Sequence, residues 1–249
     1  MFDFKDKNVL ITGASRGIGK QIALQFASAG ANIIVASRKQ ELLDGVCGEI
    51  ENKGGKGHAV AAHLGKMEDI DNLVARSYEI FGHLDVLVNN AAINPVMGPL
   101  ITIEERAWDK IMGVNLKGPF FLSVEVAKRM MDRKSGAIVN IASTAGLRSA
   151  MGLGAYGISK AGIIQMTRQL ARECSGVGVR INAVAPGLVE TDFSRAIIET
   201  EVFCAEALKT IAMERHAQPG EIAGIVLFLA SDMASYITGE TVVADGGGM

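Results

Sequence analysis

Short runs of apolar residues alternate along this chain with longer segments in which apolar positions recur every three or four residues. The short runs predict buried strands, and the longer segments predict amphipathic helices. The predicted strands lie at residues 8–11, 31–36, 58–64, 84–88, 137–141, 179–185 and 241–244. The predicted helices lie at 18–30, 41–54, 67–81, from Thr102 through Pro119, around 156–175 and at 221–230.

Alternation of strand and helix is typical of an α/β fold with a parallel sheet. We therefore predict a single doubly wound, Rossmann-type domain over residues 1–249, with about seven parallel strands and helices on both faces. Residues 190–214 interrupt the alternation with mixed apolar and charged positions, which predicts a mobile helical lid over a substrate.

Composition narrows the classes of function. With 249 residues and 49% hydrophobic content the chain can bury one large core, and its net charge of −2 carries no footprint for nucleic acid or an anionic membrane. The longest apolar run, residues 222–230, is too short to cross a bilayer. Few and widely spaced cysteines favour a reducing compartment, the cytoplasm, over a disulfide framework. The histidines have no metal-ligand spacing, so no metal site is predicted.

Three glycines follow the first predicted strand in the order Gly-x-x-x-Gly-x-Gly. Gly13, Gly17 and Gly19 let the backbone turn tightly and let a pyrophosphate approach the amide groups at the start of the next helix, where the dipole favours anions. Their spacing departs from the commoner Gly-x-Gly-x-x-Gly dinucleotide motif. A purely structural turn is the alternative, but the position directly after a buried strand at the chain start favours dinucleotide binding.

The end of the second predicted strand should meet the adenosine ribose of such a cofactor. Ser37 and Arg38 stand there, where an acidic residue would bind a free 2′-hydroxyl and repel a 2′-phosphate. Arg16 in the glycine turn can add a second positive charge. We therefore predict NADP(H) as the cofactor, with NAD(H) less favoured, although each arginine alone could be an ordinary solvated residue.

Tyr156 and Lys160 are four residues apart, which places both on one face of a helix. A neighbouring cation favours the phenolate and should lower the tyrosine pKa from its usual value of about 10. Ser143, in the loop after the fifth strand, can offer a hydroxyl to the same substrate oxygen. These residues predict a tuned general acid and base, whereas an exposed tyrosine and lysine on a helix is the plainer alternative.

Together the TGASRGIG turn, Ser143 and the Tyr-x-x-x-Lys spacing resemble the short-chain dehydrogenase/reductase family over essentially the whole chain. The resemblance implies that Ser143 orients the substrate oxygen, that Tyr156 transfers its proton, and that Lys160 lowers the tyrosine pKa and holds the nicotinamide ribose. Pro119 cannot donate to the carbonyl of Asn115, four residues back. By resemblance, Asn115 lies at a helix kink and binds a water that links Lys160 to solvent; the alternative is a buried asparagine without a catalytic role.

The same resemblance implies further cofactor contacts. Val189 and Thr191 should hold the nicotinamide carboxamide. His63 stands where most members carry an adenine-binding aspartate, which leaves adenine to the imidazole or to the backbone near Leu64. The full predicted cofactor set is Gly13, Ser15, Arg16, Gly17, Ile18, Gly19, Ser37, Arg38, His63, Leu64, Asn90, Ala91, Tyr156, Lys160, Pro186, Gly187, Val189 and Thr191. The chain also resembles the NADP-preferring carbonyl-reductase branch, and by resemblance we expect a homotetramer.

The residues expected around the substrate are mostly apolar, which suits a small-molecule ketone or aldehyde with a hydrophobic substituent. They are Ile93, Asn94, Pro95, Val96, Met97, Ala145, Leu147, Met151, Leu153, Phe193, Ile197 and Ile198, with Arg148 expected to be solvated. We predict hydride transfer between NADP(H) and a carbonyl or secondary alcohol, with Tyr156 as general acid and base. The alternatives are a 3-oxoacyl thioester reductase, an NAD-dependent alcohol or sugar-acid dehydrogenase, and a non-catalytic dinucleotide-binding regulator.

Overall fold

A seven-stranded parallel sheet runs through residues 2–249, the part of the chain that the computed structural model describes. The strands follow the order β3-β2-β1-β4-β5-β6-β7 across the sheet. They are β1 (Asn8–Thr12), β2 (Asn32–Ser37), β3 (Lys56–Ala61), β4 (Val86–Asn89), β5 (Gly136–Ile141), β6 (Val179–Pro186) and β7 (Thr241–Ala244). The doubly wound, Rossmann-type fold is confirmed.

Helices cover both faces of the sheet because successive strand residues point to opposite sides and both sides are buried. Val9 and Ile11 pack with α1, α2 and α9 on one face, while Leu10 packs with α3, α5 and α6 on the other. The helices are α1 (Gly17–Ser28), α2 (Gln40–Glu51), α3 (Met67–Phe81), α4 (Glu105–Met112), α5 (Gly118–Arg133), α6 (Gly154–Cys174), α7 (Arg195–Ile198), α8 (Glu201–Lys209) and α9 (Pro219–Ala230).

Most predicted bounds differ from the observed ones by one to three residues, and two of the differences have a structural cause. β3 ends at Ala61 and not at Leu64, because its partner β2 ends opposite it at Ser37. The long helix predicted from Thr102 begins at Glu105 and is divided by a π-helical turn, Gly113–Lys117, between α4 and α5. There the Gly118 N–H donates to the Gly113 carbonyl five residues back, as in a π-bulge.

The strand order reverses at β1, which lies between β2 and β4. In open α/β sheets ligands bind at the carboxyl ends of the strands beside such a switch point. Within residues 2–249, no helix is both long and apolar enough to cross a membrane. In the same described range, no three His, Cys, Asp or Glu side chains gather as a metal site would require.

Candidate active site

Hydrogen bonds tie the end of β1 to the end of β4. The Thr12 hydroxyl accepts the backbone N–H groups of Asn90 and Ala91 at 3.1 and 3.2 Å. The Asn90 side-chain amide donates in return to the Thr12 and Gly13 carbonyls at 3.0 and 3.1 Å. Gly13 has φ +67°, and a Cβ there would lie 2.7 Å from the Ala91 Cα, so only glycine fits. The sequence analysis does not single out Thr12. A hydroxyl residue directly before the glycine turn is the feature that could have indicated this linking role.

Gly19 lies behind this crevice and does not line it. A Cβ at Gly19 would collide with the Asn90 amide and would lie 2.5 Å from the Gly13 carbonyl oxygen. The predicted cofactor contact at Gly19 stays a prediction, and the structure gives this glycine a packing role. Its missing side chain lets α1 pack closely against the end of β4, which positions the crevice from behind.

The N-terminus of α1 opens into the cleft as a site suited to an anion. Its first turn carries no acidic residue, and the side chain of Arg16 at the N-cap makes no capping hydrogen bond. Ser15, Arg16, Gly17 and Ile18 all line the cleft there. Amide groups that no side chain caps, at the positive end of a helix, fit the pyrophosphate of a dinucleotide.

Two arginines line the same end of the cleft in different electrostatic settings. Arg38, next to Ser37 after β2, has no ion-pair partner among residues 2–249. Arg16 instead donates to the Asp192 carboxylate at 2.9 Å, across the cleft. Arg195 pairs with the same carboxylate. Arg16 therefore supplies the predicted second positive charge, but its guanidinium is already paired with the Asp192 carboxylate.

His63 lies two residues beyond β3 and lines the cleft together with Leu64. Its Nδ1 accepts the Gly65 N–H at 3.0 Å, and its own backbone N–H donates to Asp69 at 2.8 Å. Because Nδ1 acts as an acceptor, the neutral ring carries its proton on Nε2. The imidazole therefore offers a donor where an aspartate would offer an acceptor.

The catalytic candidates meet where β5 ends against α6. Tyr156 and Lys160 are 8% and 2% exposed, and the Lys160 ammonium nitrogen lies 5.6 Å from the Tyr156 ring centre. The Lys160 Nζ donates to the Ile141 carbonyl at 2.6 Å. Ser143 begins the loop after β5, and its hydroxyl accepts the Ala145 N–H at 3.1 Å. Helical spacing and a strand end thus bring the three predicted side chains to one place.

The charge state of this pair differs from the expectation. Burial raises the pKa of Tyr156 to about 12, although a hydrogen bond with Ser143 acts in the opposite direction. Burial lowers the pKa of Lys160 to about 7. Among the polypeptide's own groups burial is the largest cause, so the shift of the Tyr156 pKa runs opposite to the lowering expected from Lys160. Tyr156 is a neutral phenol at neutral pH, ready to give a proton.

Asn115 lies in the π-helical turn, buried, and does not line the cleft. Its side-chain oxygen accepts the Ile93 N–H and its amide donates to the Ile93 carbonyl, both at 2.8 Å. The amide also donates to the Ser159 hydroxyl at 3.2 Å, and that hydroxyl donates to the Tyr156 carbonyl at 2.6 Å. The Asn115 side chain thus joins the loop after β4 to the helix of Tyr156. The sequence pattern points to the backbone carbonyl of Asn115 and does not reveal these side-chain hydrogen bonds.

The end of β6 and the segment after it close one end of the cleft. Pro186, Gly187, Val189 and Thr191, which the resemblance predicts as cofactor contacts, line the cleft there. The Thr191 hydroxyl lies 3.2 Å from the Ser194 hydroxyl, which donates to the Val189 carbonyl. The Phe193 ring lies 5.2 Å from the Tyr156 ring. The segment predicted as a lid, residues 190–214, contains α7 and α8, and Phe193, Ile197 and Ala207 line the cleft.

One cleft of about 890 Å³ contains nearly all of these residues. Of the predicted substrate wall, Val96, Leu147, Met151 and Ile198 do not line it, and Met151 is 99% exposed. Arg148 is exposed as expected but does line the cleft. Lining residues that the sequence pattern does not single out include Lys39, Leu42, Ala62, Lys110 and Asp245. The position of Asp245 could have predicted this, because it directly follows the carboxyl end of β7, where ligands bind in such sheets.

Comparison with known proteins gives matches over nearly the whole chain. A family model described as enoyl-(acyl carrier protein) reductase matches residues 13–248. The chain is 38% identical over 242 residues to dehydrogenase/reductase SDR family member 4 of Oryctolagus cuniculus, covering 97% of this chain and 93% of that protein. It is 39% identical over 241 residues to 3-oxoacyl-(acyl-carrier-protein) reductase FabG of Thermotoga maritima, covering 97% of each.

One solved structure is also similar to this chain over nearly its whole length. It comes from Beutenbergia cavernae, is provisionally described as an NAD(P)-dependent gluconate 5-dehydrogenase, and holds NADP at low occupancy. The two chains superpose with a TM-score of 0.94 at 36% identity, over 99% of this chain and 98% of that one.

Proposed function

Because this chain belongs to the short-chain dehydrogenase/reductase family and is an oxidoreductase of CH–OH or carbonyl groups with NAD(P), we propose that it reduces ketones and aldehydes with NADPH. A single observation carries the proposal. One cleft holds Ser143, Tyr156 and Lys160 at one end and an arginine without an ion-pair partner among the described residues, Arg38, at the other. The predictions of a cytoplasmic location and a homotetramer stay predictions.

The residues of the cleft fit a phosphorylated dinucleotide. The α1 N-terminus would hold the pyrophosphate, Arg38 the 2′-phosphate, and Val189 with Thr191 the nicotinamide carboxamide. His63 would face the adenine. When bound, the cofactor supplies the hydride that reduces the carbonyl carbon.

Tyr156 and Ser143 act on the carbonyl oxygen. As a neutral phenol with a raised pKa, Tyr156 donates the proton that the developing alkoxide takes up, and the Ser143 hydroxyl donates a second hydrogen bond to that oxygen. The buried Lys160 amine is held by a hydrogen bond to the Ile141 carbonyl. From this position Lys160 returns a proton to Tyr156 and binds the ribose. With a pKa of about 7, Lys160 can gain and lose a proton near neutral pH.

The walls near Tyr156 support a carbonyl compound with an apolar substituent. Ile93, Pro95, Met97, Leu153 and Phe193 line this end of the cleft. Apolar walls with a few placed polar groups bind small molecules through burial and orient them through hydrogen bonds. A 3-oxoacyl thioester reductase is the second candidate, and the 39% identity to FabG over 97% of both chains favours it.

A competition assay tests the proposal. NADPH oxidation is followed with an aryl ketone, a short 3-oxoacyl thioester and a 5-keto sugar acid, each alone and in pairs. We expect the aryl ketone to have the highest kcat/KM. If the thioester exceeds it tenfold, the second candidate replaces the proposal, and if the sugar acid does so, the apolar-wall reasoning is refuted.

A further inference from the structure

A second, smaller cavity of about 250 Å³ lies beside the substrate end of the cleft, between the loop after β4 and the start of α6. We call it the side chamber. Its lining includes Val96, Gly98, Pro99, Ile103, Glu104 and Ala107. Asn94, Met97 and Leu153 line both the side chamber and the cleft, so the two spaces share a wall.

Backbone contacts build this chamber. The Gly98 N–H donates to the Gly152 carbonyl at 3.2 Å, and Gly98 pairs with Leu153 in a short parallel bridge. A Cβ at Gly154 would lie 2.8 Å from the Leu100 Cβ, so the loop is seated directly on the first turn of α6. That turn also carries Tyr156, which places the chamber within one helical turn of the proton donor.

The lining favours an uncharged group, because it places aliphatic side chains beside the uncharged polar Asn94 and Thr102. Aliphatic surface comes from Val96, Pro99, Ile103 and Ala107. The Thr102 hydroxyl donates a hydrogen bond to the Pro99 carbonyl at 2.9 Å. Glu104 is the one charged residue in the lining. A carboxylate on a ligand would be repelled by Glu104, while a hydrocarbon would bury apolar surface.

We propose that the side chamber binds the hydrophobic arm of a ketone whose carbonyl lies at Ser143 and Tyr156. This inference rests on the proposed function and names its substrate class: ketones with an alkyl or aryl arm several carbons long. One liquid water occupies about 30 Å³, so 250 Å³ corresponds to about eight such volumes. Met97, 60% exposed and unbranched, stands at the shared wall, where its flexible side chain can yield to the arm.

A homologous series of methyl ketones of increasing alkyl length tests the size of the chamber. Each methylene that enters it should raise kcat/KM about three- to fourfold, until the chamber is full. The gain should appear mainly as a lower KM, because an arm remote from the reacting carbon binds equally in the ground and transition states.

Gly98 offers a way to fill the chamber without straining the backbone. A Cβ at Gly98 would meet nothing within 4 Å, and Gly98 is not among the glycines with positive φ. In Gly98→Leu the dependence on chain length should disappear, so that kcat/KM falls more for long ketones than for short ones. Gly98→Ala should give an intermediate slope, and Ala107→Leu fills the chamber from the opposite side.

Gly176→Leu is the matched control, because a Cβ there also meets nothing within 4 Å and Gly176 lies at the other end of the sheet, before β6. It should keep the wild-type slope, and melting temperatures check that each variant folds. An unchanged slope in both Gly98→Leu and Ala107→Leu, or an equal loss for short and long ketones, overturns the side-chamber inference alone. Failure of the wild type to reduce any ketone overturns the proposed function itself.

Discussion

Arg38 and Arg16 should contribute unequally to the choice between NADPH and NADH. Both line the cofactor end of the cleft, but only Arg16 is held by a carboxylate, Asp192, at 2.9 Å. To bind a 2′-phosphate, Arg16 must leave Asp192, whereas Arg38 has no ion pair to break among residues 2–249. We therefore predict that Arg38 provides most of the preference for NADPH.

The structure sets the size of each effect. A charge-assisted hydrogen bond contributes about 1.5–3 kcal/mol, so Arg38 alone gives roughly 10- to 150-fold discrimination. An exposed ion pair is worth about 0–1 kcal/mol, and Arg16 must give up its pair with Asp192 before it can bind the 2′-phosphate. The discrimination that Arg16 provides should therefore be up to about fivefold smaller than that of Arg38. Asp192 keeps Arg195 as a partner after Arg16 leaves, so the exchange leaves no carboxylate unpaired.

The assay compares kcat/KM for NADPH and NADH, together with the dissociation constant of each cofactor measured by fluorescence. Arg38→Asp should reverse or abolish the preference for NADPH, and Arg16→Ala should reduce it less. Asp192→Asn should improve NADPH binding by up to about fivefold and leave NADH binding unchanged, because it frees Arg16. Equal kcat/KM values in the wild type, or a larger loss in Arg16→Ala than in Arg38→Asp, would refute the reasoning.

Three further predictions follow from the catalytic pair and the glycine turn. Tyr156→Phe should lower kcat by about 10²–10⁴-fold and leave the NADPH dissociation constant nearly unchanged, because the proton donor is lost while the ring still packs. Lys160→Met should stabilise the cofactor-free protein in denaturant unfolding. The folded pKa of Lys160 is about 7 against an ordinary 10.5, so wild-type stability rises with pH between these values and the advantage of methionine shrinks over the same range. Gly19→Ala should destabilise the fold by about 1–3 kcal/mol through the clash at Asn90, whereas Gly45→Ala, in open space on α2, should stabilise it by about 0.5–1 kcal/mol.

Each of these has an outcome that would contradict it. A Tyr156→Phe enzyme with a tenth of the wild-type rate would mean that another group moves the proton. A Lys160→Met protein whose advantage is constant or grows from pH 7 to 10.5 would show that Lys160 is charged when buried. Equal effects of alanine at positions 19 and 45 would mean that α1 does not depend on its close approach to β4.

Local periodicity was enough to predict the architecture. Apolar runs alternate with amphipathic segments, and the three- to four-residue repeat of a helix places Tyr156 beside Lys160 whatever the rest of the chain does. The edge at which Ser143, Arg38 and Thr191 gather also follows from sequence, because parallel strands end at the same side of a sheet. The observed helix bounds Met67–Phe81 and strand bounds Thr241–Ala244 are the predicted ones.

Contacts between distant parts of the chain could not be predicted in this way. Arg16 meets Asp192 across 176 positions, and the Asn115 side chain holds Ile93 across 22. No local pattern encodes such partners, because they depend on how elements pack. The collision that excludes a side chain at Gly19 and the side chamber beneath Gly98 have the same origin.

The chain by itself predicted which groups perform the proposed chemistry, and the tertiary structure decided how their pKa values shift. From spacing alone, an amine four residues from a phenol predicts a lowered tyrosine pKa. In the folded protein both groups are almost fully buried, and the cost of removing charge from water raises one pKa and lowers the other. Desolvation depends on every element packed around a site, so the sequence can nominate the proton donor while only the fold sets its pKa.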